Sequence, residues 1–136
     1  MKINITNLEL EKALNILNAE NSFRNNPAIK LPSALRWAVR VNVKTMMDRY
    51  KVYEEARAEL GQEFIDAGKV DNDQVKEEYL NEYQIRMAEL LFQSNELDIT
   101  PVKETDYKDR DDLSSPEEDI LIIMTEQEKD DKETEE

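Results

Sequence analysis

The chain has 136 residues, 39% of them hydrophobic, enough for one modest core and too few for two enzyme-sized domains. It contains neither cysteine nor histidine, which removes disulfides, thiolate and imidazole metal sites, thiol nucleophiles and the commonest general base. Its formal net charge of −14 argues against general affinity for nucleic acid.

The charge is unevenly placed. Residues 1–53 hold nine basic and four acidic side chains, whereas residues 54–136 hold nine basic and twenty-eight acidic ones. The only glycines are Gly61 and Gly68, so no phosphate-cradling P-loop or dinucleotide-binding turn can be written. No apolar signal core opens the sequence, and the longest aliphatic run, residues 120–124, is too short for a bilayer. A cytoplasmic location with no membrane partner is the expectation.

In chain order, Ile3 and Ile5 alternate with polar residues, and Leu97 and Ile99 repeat that period beside Pro101, which predicts a two-stranded pairing. Thr6 and Glu9 have the spacing of a capping box, and Leu10, Ala13, Leu14 and Leu17 share one helical face. A short helix over residues 7–18 follows. Residues 21–31, with Asn25, Asn26 and Pro27, read as a loop.

From Pro32 and Ser33, apolar residues recur at three- and four-residue steps: Leu35, Val39, Met46, Tyr50, Tyr53, Ala56, Leu60 and Phe64, with Asn42 on the same stripe. One helix over residues 33–64 would be ~48 Å long, more than a domain of this size is wide, so one end must project or find a partner. Trp37, Val41, Val43 and Met47 lie off the stripe, which predicts burial on more than one side of the first half.

Gly68 is the expected cap, followed by a turn at residues 69–71. Asp71 and Gln74 are expected to cap a second helix with Val75, Tyr79, Tyr83, Met87, Leu90 and Leu91 as its seam. The fold class expected is mainly α: a long antiparallel helical hairpin over residues 1–102, with the short first helix and the strand pairing. Residues 103–125 read as a mobile charged connector over residues 103–112 and then a short C-terminal helix, signalled by Ser115, Pro116 and Glu118, with a strand as the alternative. Residues 126–136 read as a disordered acidic tail.

Acidic pairs such as Glu54-Glu55 and Glu77-Glu78 are too numerous in this composition for adjacency to carry a signal. Asp71-Asn72-Asp73 resembles the start of a calcium loop, but the glycine and the distal bidentate glutamate are missing. No catalytic residue, metal site or cofactor is expected.

Arg36, Arg40 and Lys44 follow one another at four-residue steps, with Lys51 two turns further on and Trp37 among them. This basic stripe is the candidate partner-binding surface. It would be covered either by the chain's own acidic half or by a protein partner, in preference to nucleic acid; a homo-oligomer stays open. Tyr50, Tyr53, Tyr79 and Tyr83 have core spacing, which favours packing over base stacking.

The segments ITNLELEKALNILN and LPSALRWAVRVNVKTMMDRYKVYEEARAEL, with EYQIRMAELLFQSNELDITPV and DLSSPEEDILIIM later, resemble a family of short uncharacterised proteins from phages and prophages of Gram-positive bacteria. The resemblance covers nearly all of the chain and rests on pattern and order. It implies no catalytic residues. The leading expectation is a non-enzymatic phage-type protein that binds another protein, from host or phage, through its long helix, as an assembly or accessory factor. The alternative is an acidic inhibitor that imitates nucleic acid toward a host defence or replication protein.

Overall fold

The computed structural model describes residues 1–126 of the chain. The fold is mainly helical: four α-helices, one of them 34 residues long, with two small antiparallel sheets. Strand β1 (Lys2–Thr6) pairs antiparallel with β4 (Ser94–Asp98), setting Ile3 opposite Leu97 and Ile5 opposite Asn95. Cross-strand partners share a face, so this register turns Ile3, Ile5 and Leu97 toward the core. Lys2 and Glu96 make an exposed ion pair at 3.2 Å.

Helix α1 (Asn7–Leu17) starts at the capping box read from the sequence. The Thr6 hydroxyl accepts from the Glu9 N–H at 3.1 Å, and Glu9 Oε1 accepts from the Thr6 N–H at 3.0 Å. Those bonds from Thr6, backbone first, hold the Glu9 carboxyl below its usual range. Leu10, Ala13, Leu14 and Leu17 are all buried against α2 (Ser33–Asp66).

Helix α2 is ~51 Å long at 1.5 Å per residue, and its two halves differ. The first half contributes Leu35, Ala38, Val39, Val43 and Met46 to the main core. Of the off-stripe residues expected inside, only Val43 is buried; Trp37 and Met47 are 64% and 51% exposed. The elements packed on this half of the helix all lie on its buried side, and Trp37 and Met47 face away from them into solvent. The second half ends in a Schellman motif, with Gly68 at φ 72, Lys69 N–H donating to Phe64 O and Gly68 N–H to Ile65 O.

The residues expected to cap the next helix form a hairpin instead. Val70–Asp71 (β2) pairs with Gln74–Val75 (β3), and Asn72 and Asp73 both take positive φ, at 51° and 62°. Asn and Asp tolerate this region better than other side chains, which suits the two-residue turn. Helix α3 (Glu77–Leu91) then begins at Lys76 with no side-chain cap.

Helix α3 returns from the far end of α2 toward the sheet. Arg86 meets Glu63 at 2.9 Å, Tyr83 sits edge-on to Phe64 with centroids 5.1 Å apart, and Leu90 O accepts from Asn7 Nδ2 at 2.7 Å. Lys69 Nζ lies 5.1 Å and 5.2 Å from the Phe64 and Tyr79 rings and bonds Glu82. None of the seam read for α3 is fully buried, because α3 packs chiefly on α2 and only its C-terminal end reaches α1.

Gly61 sits inside the far half of α2, where an added methyl would meet nothing within 4 Å. Gly61→Ala is therefore expected to stabilise the chain by about 0.5–1 kcal/mol, through helix propensity and the unfolded chain's lost freedom. A rise in the urea midpoint at constant slope would register it.

Residues 102–124 join the same core as α1. Val102 and Tyr107 are buried, a 3-10 turn spans Glu104–Asp106, and Arg110 pairs with Asp112 at 2.6 Å. The charged connector is thus pinned by one aromatic side chain, which the surrounding charges had masked in the sequence. Helix α4 (Ser115–Ile123) opens with a capping box at Ser114 and Glu117, one residue before the start read from Ser115, and buries Ile120, Leu121 and Met124. Thr125 bridges Val102, and the Glu126 N–H donates to Val102 O at 2.8 Å, so packing against the body continues beyond Met124. The rest of the acidic tail lies outside the described residues.

Candidate functional site

The loop between α1 and α2 is built by its asparagines and serine. Ser22 Oγ donates to Leu17 O, Asn25 Nδ2 to Ala19 O, and Asn26 Oδ1 accepts from the Ala28 N–H, at 2.9, 2.8 and 3.0 Å. Such side chains substitute for backbone partners in tight turns. Phe23 and Leu31 anchor the loop in the core. The Phe23 N–H donates to Glu117 Oε2 at 2.7 Å, so α4 fixes the loop from behind.

This arrangement puts Arg24 beside the start of α2. Its guanidinium donates to Asn18 Oδ1 at 2.6 Å, with Leu17 O at 3.4 Å, at the negative end of α1. Burial first, and the nearby Arg40 charge second, lower its pKa from the usual arginine value. Arg24, Arg36, Arg40 and Trp37 line a cleft of about 480 Å³ floored by Phe23, Leu31 and Val39. Among the described residues none of the three arginines forms an ion pair with a carboxylate.

Of the residues read from the sequence, Arg36, Trp37 and Arg40 come together here. Lys44 and Lys51 do not line the cleft; they continue along the exposed side of α2, with Lys44 loosely paired to Asp48 at 3.7 Å. Arg24 was missed because only the fold of the asparagine-rich loop brings it across twelve positions to Arg36. A lone arginine within a run of turn formers was its one visible signal.

Chemically, the cleft combines one guanidinium held in place, that of Arg24, and two exposed ones, Arg36 and Arg40, with an exposed indole. Guanidinium groups bind carboxylate or phosphate oxygens in a planar fork, and the indole adds apolar area at little entropic cost. The buried polar side chains elsewhere are satisfied structurally: Asn42 bonds both the N–H and the C=O of Thr100, and Asn95 bonds Ile5 O and Asn7 Oδ1. No helix among the described residues is long and apolar enough to cross a membrane. No family model, curated protein or solved structure matches the chain.

Proposed function

We propose that this chain is a non-enzymatic interaction protein of the phage type, acting in the host cytoplasm as an accessory or assembly factor that holds an acidic segment of another protein against its long helix. The observation that carries this reading is the cleft that Arg24, Arg36, Arg40 and Trp37 line together, the arginines having no carboxylate partner among the described residues. Its concave form and small volume suit a short peptide carrying carboxylates better than a nucleic-acid duplex. The chain as a whole, at −14, repels a long polyanion.

Trp37 is the chain's one tryptophan, and it stands 64% exposed, so its emission reports on the cleft. Titration with a glutamate-rich peptide is expected to shift that emission to shorter wavelength. The Arg36→Glu, Arg40→Glu double variant is expected to bind at least about tenfold more weakly. In capture from host-cell extract, the same variant should lose the partner; an unchanged set of captured proteins would refute the reading.

A second reading has its own support. Residues 54–91 carry eleven acidic and four basic side chains, most of them on α2 and α3, and acids fixed on helices are what imitation of a phosphate backbone requires. A partner retained by the Arg36, Arg40 variant but lost on Glu77→Gln, Glu78→Gln, Glu82→Gln would assign the acidic inhibitor instead.

A further inference from the structure

The side of α2 that faces away from its buried seam carries a regular row. Positions 37, 41, 44, 48, 51, 55, 58 and 62 advance in alternating steps of four and three, the spacing that keeps one edge of a helix facing a neighbouring helix. The row lies in the open. Trp37 is 64% exposed, the Lys44 and Asp48 side chains 80% and 73%, and Lys51, Glu55, Ala58 and Gln62 are exposed too, with Val41 half-buried. Helix α1 meets α2 elsewhere, at Glu11 and Tyr50, and α3 meets it at Tyr83 and Phe64.

The helix is also electrically divided. Residues 33–50 bear four basic and one acidic side chain, and residues 51–66 bear two basic and five acidic. The alternation of steps reads the same from either end, with its centre between residues 49 and 50. A second α2 laid antiparallel about that centre meets the first in layers that join 44 to 55 and 48 to 51.

From this we infer that the face binds a second copy of the chain, antiparallel, about a twofold axis between residues 49 and 50. Each copy sets Lys44 against the other's Glu55 and Asp48 against the other's Lys51, and a twofold contact repeats both pairs. At the two ends Trp37 covers Gln62 and Ile65 of the facing helix. The parallel alternative is excluded by charge, since its layers would set Lys44 on Lys44, Asp48 on Asp48 and Glu55 on Glu55. The centre of the contact is charged and only its ends are apolar, so the dimer is weak and sensitive to salt. Arg24 and Arg36 lie in the cleft on the loop-facing flank and take no part; Trp37 borders both surfaces, so the charge pairs at Lys44, Asp48, Lys51 and Glu55, outside the cleft, are what separate this inference from the peptide-binding reading.

Sedimentation equilibrium of the full chain from about 10 μM to about 1 mM tests it. A monomer–dimer equilibrium is expected that weakens by roughly tenfold between about 50 mM and about 500 mM salt. Lys44→Glu and Glu55→Lys should each weaken the dimer on the order of tenfold, by opposing like charges twice. Their combination should restore it, whereas Lys44→Glu with Glu59→Lys should not. Both side chains are exposed, so far-ultraviolet circular dichroism of the variants should match the parent. Because the chain has no cysteine of its own, mixing an Asp48→Cys chain with a Lys51→Cys chain should give a disulfide-linked pair under mild oxidation. A chain that stays monomeric throughout, or a double charge swap no better than either single one, overturns the inference.

Discussion

Truncating Leu121 to alanine is expected to destabilise the protein by about 3–5 kcal/mol, the cost of deleting a fully buried leucine and leaving a cavity. Leu121 has no exposed surface, and it sits in α4, beyond a charged segment that reads as a connector. Urea unfolding of Leu121→Ala and of the wild type, compared at equal slope, measures the difference. Ile122, one position along and 56% exposed, is the control: Ile122→Ala should change stability by less than about 1 kcal/mol. Equal losses for the two would mean that α4 does not dock as described.

The second large effect is expected at Asn42, which is fully buried on the seam of α2. Its Oδ1 accepts from the Thr100 N–H at 2.7 Å and its Nδ2 donates to Thr100 O at 2.8 Å. The amide therefore behaves as one residue of a strand, fastening the segment after β4 to the long helix. Asn42→Leu keeps the branched shape, with a larger volume, and removes both partners, leaving a backbone donor and acceptor half-buried and unsatisfied. The expected cost is about 2–4 kcal/mol. A loss under about 1 kcal/mol, or none, would show that water replaces the side chain there.

Asn42 also marks the limit of what periodicity reveals. The stripe along α2 was legible because each buried position recurs at helical spacing, and the same holds for α1 and its capping box. The pairing of β1 with β4 was legible too, since Ile3, Ile5, Leu97 and Ile99 alternate. What Asn42 does on that stripe was not, because its partner lies 58 positions away. The hairpin at Asn72 and Asp73 was mistaken for a cap because the same residue types serve both purposes, and only the backbone angles distinguish them. Tyr107 was hidden among charges, and a single aromatic has no period to betray it.

The candidate site was partly legible for the same reason. Arg36, Trp37 and Arg40 share one stretch of helix, so local spacing groups them. Arg24 enters through a loop whose shape depends on Glu117, and no local pattern encodes that dependence. Lys44 and Lys51, grouped with the others by sequence, lie further along the exposed side of the same helix and do not line the cleft.

The contacts that close this fold join distant parts of the chain. Lys2 is opposite Asp98, Asn7 bonds Leu90 O, and the Phe23 N–H bonds Glu117. A nascent polypeptide leaving the ribosome therefore carries its first strand unpaired until β4 has been made, and the asparagine-rich loop without its support until α4 emerges. Local helices can form and dissolve in the meantime, but the cooperative core must wait for nearly the whole length of the chain. Synthesis thus exposes the apolar faces of α1 and α2 for most of its duration, and that interval, more than the finished protein, is when aggregation or capture by a chaperone competes with folding.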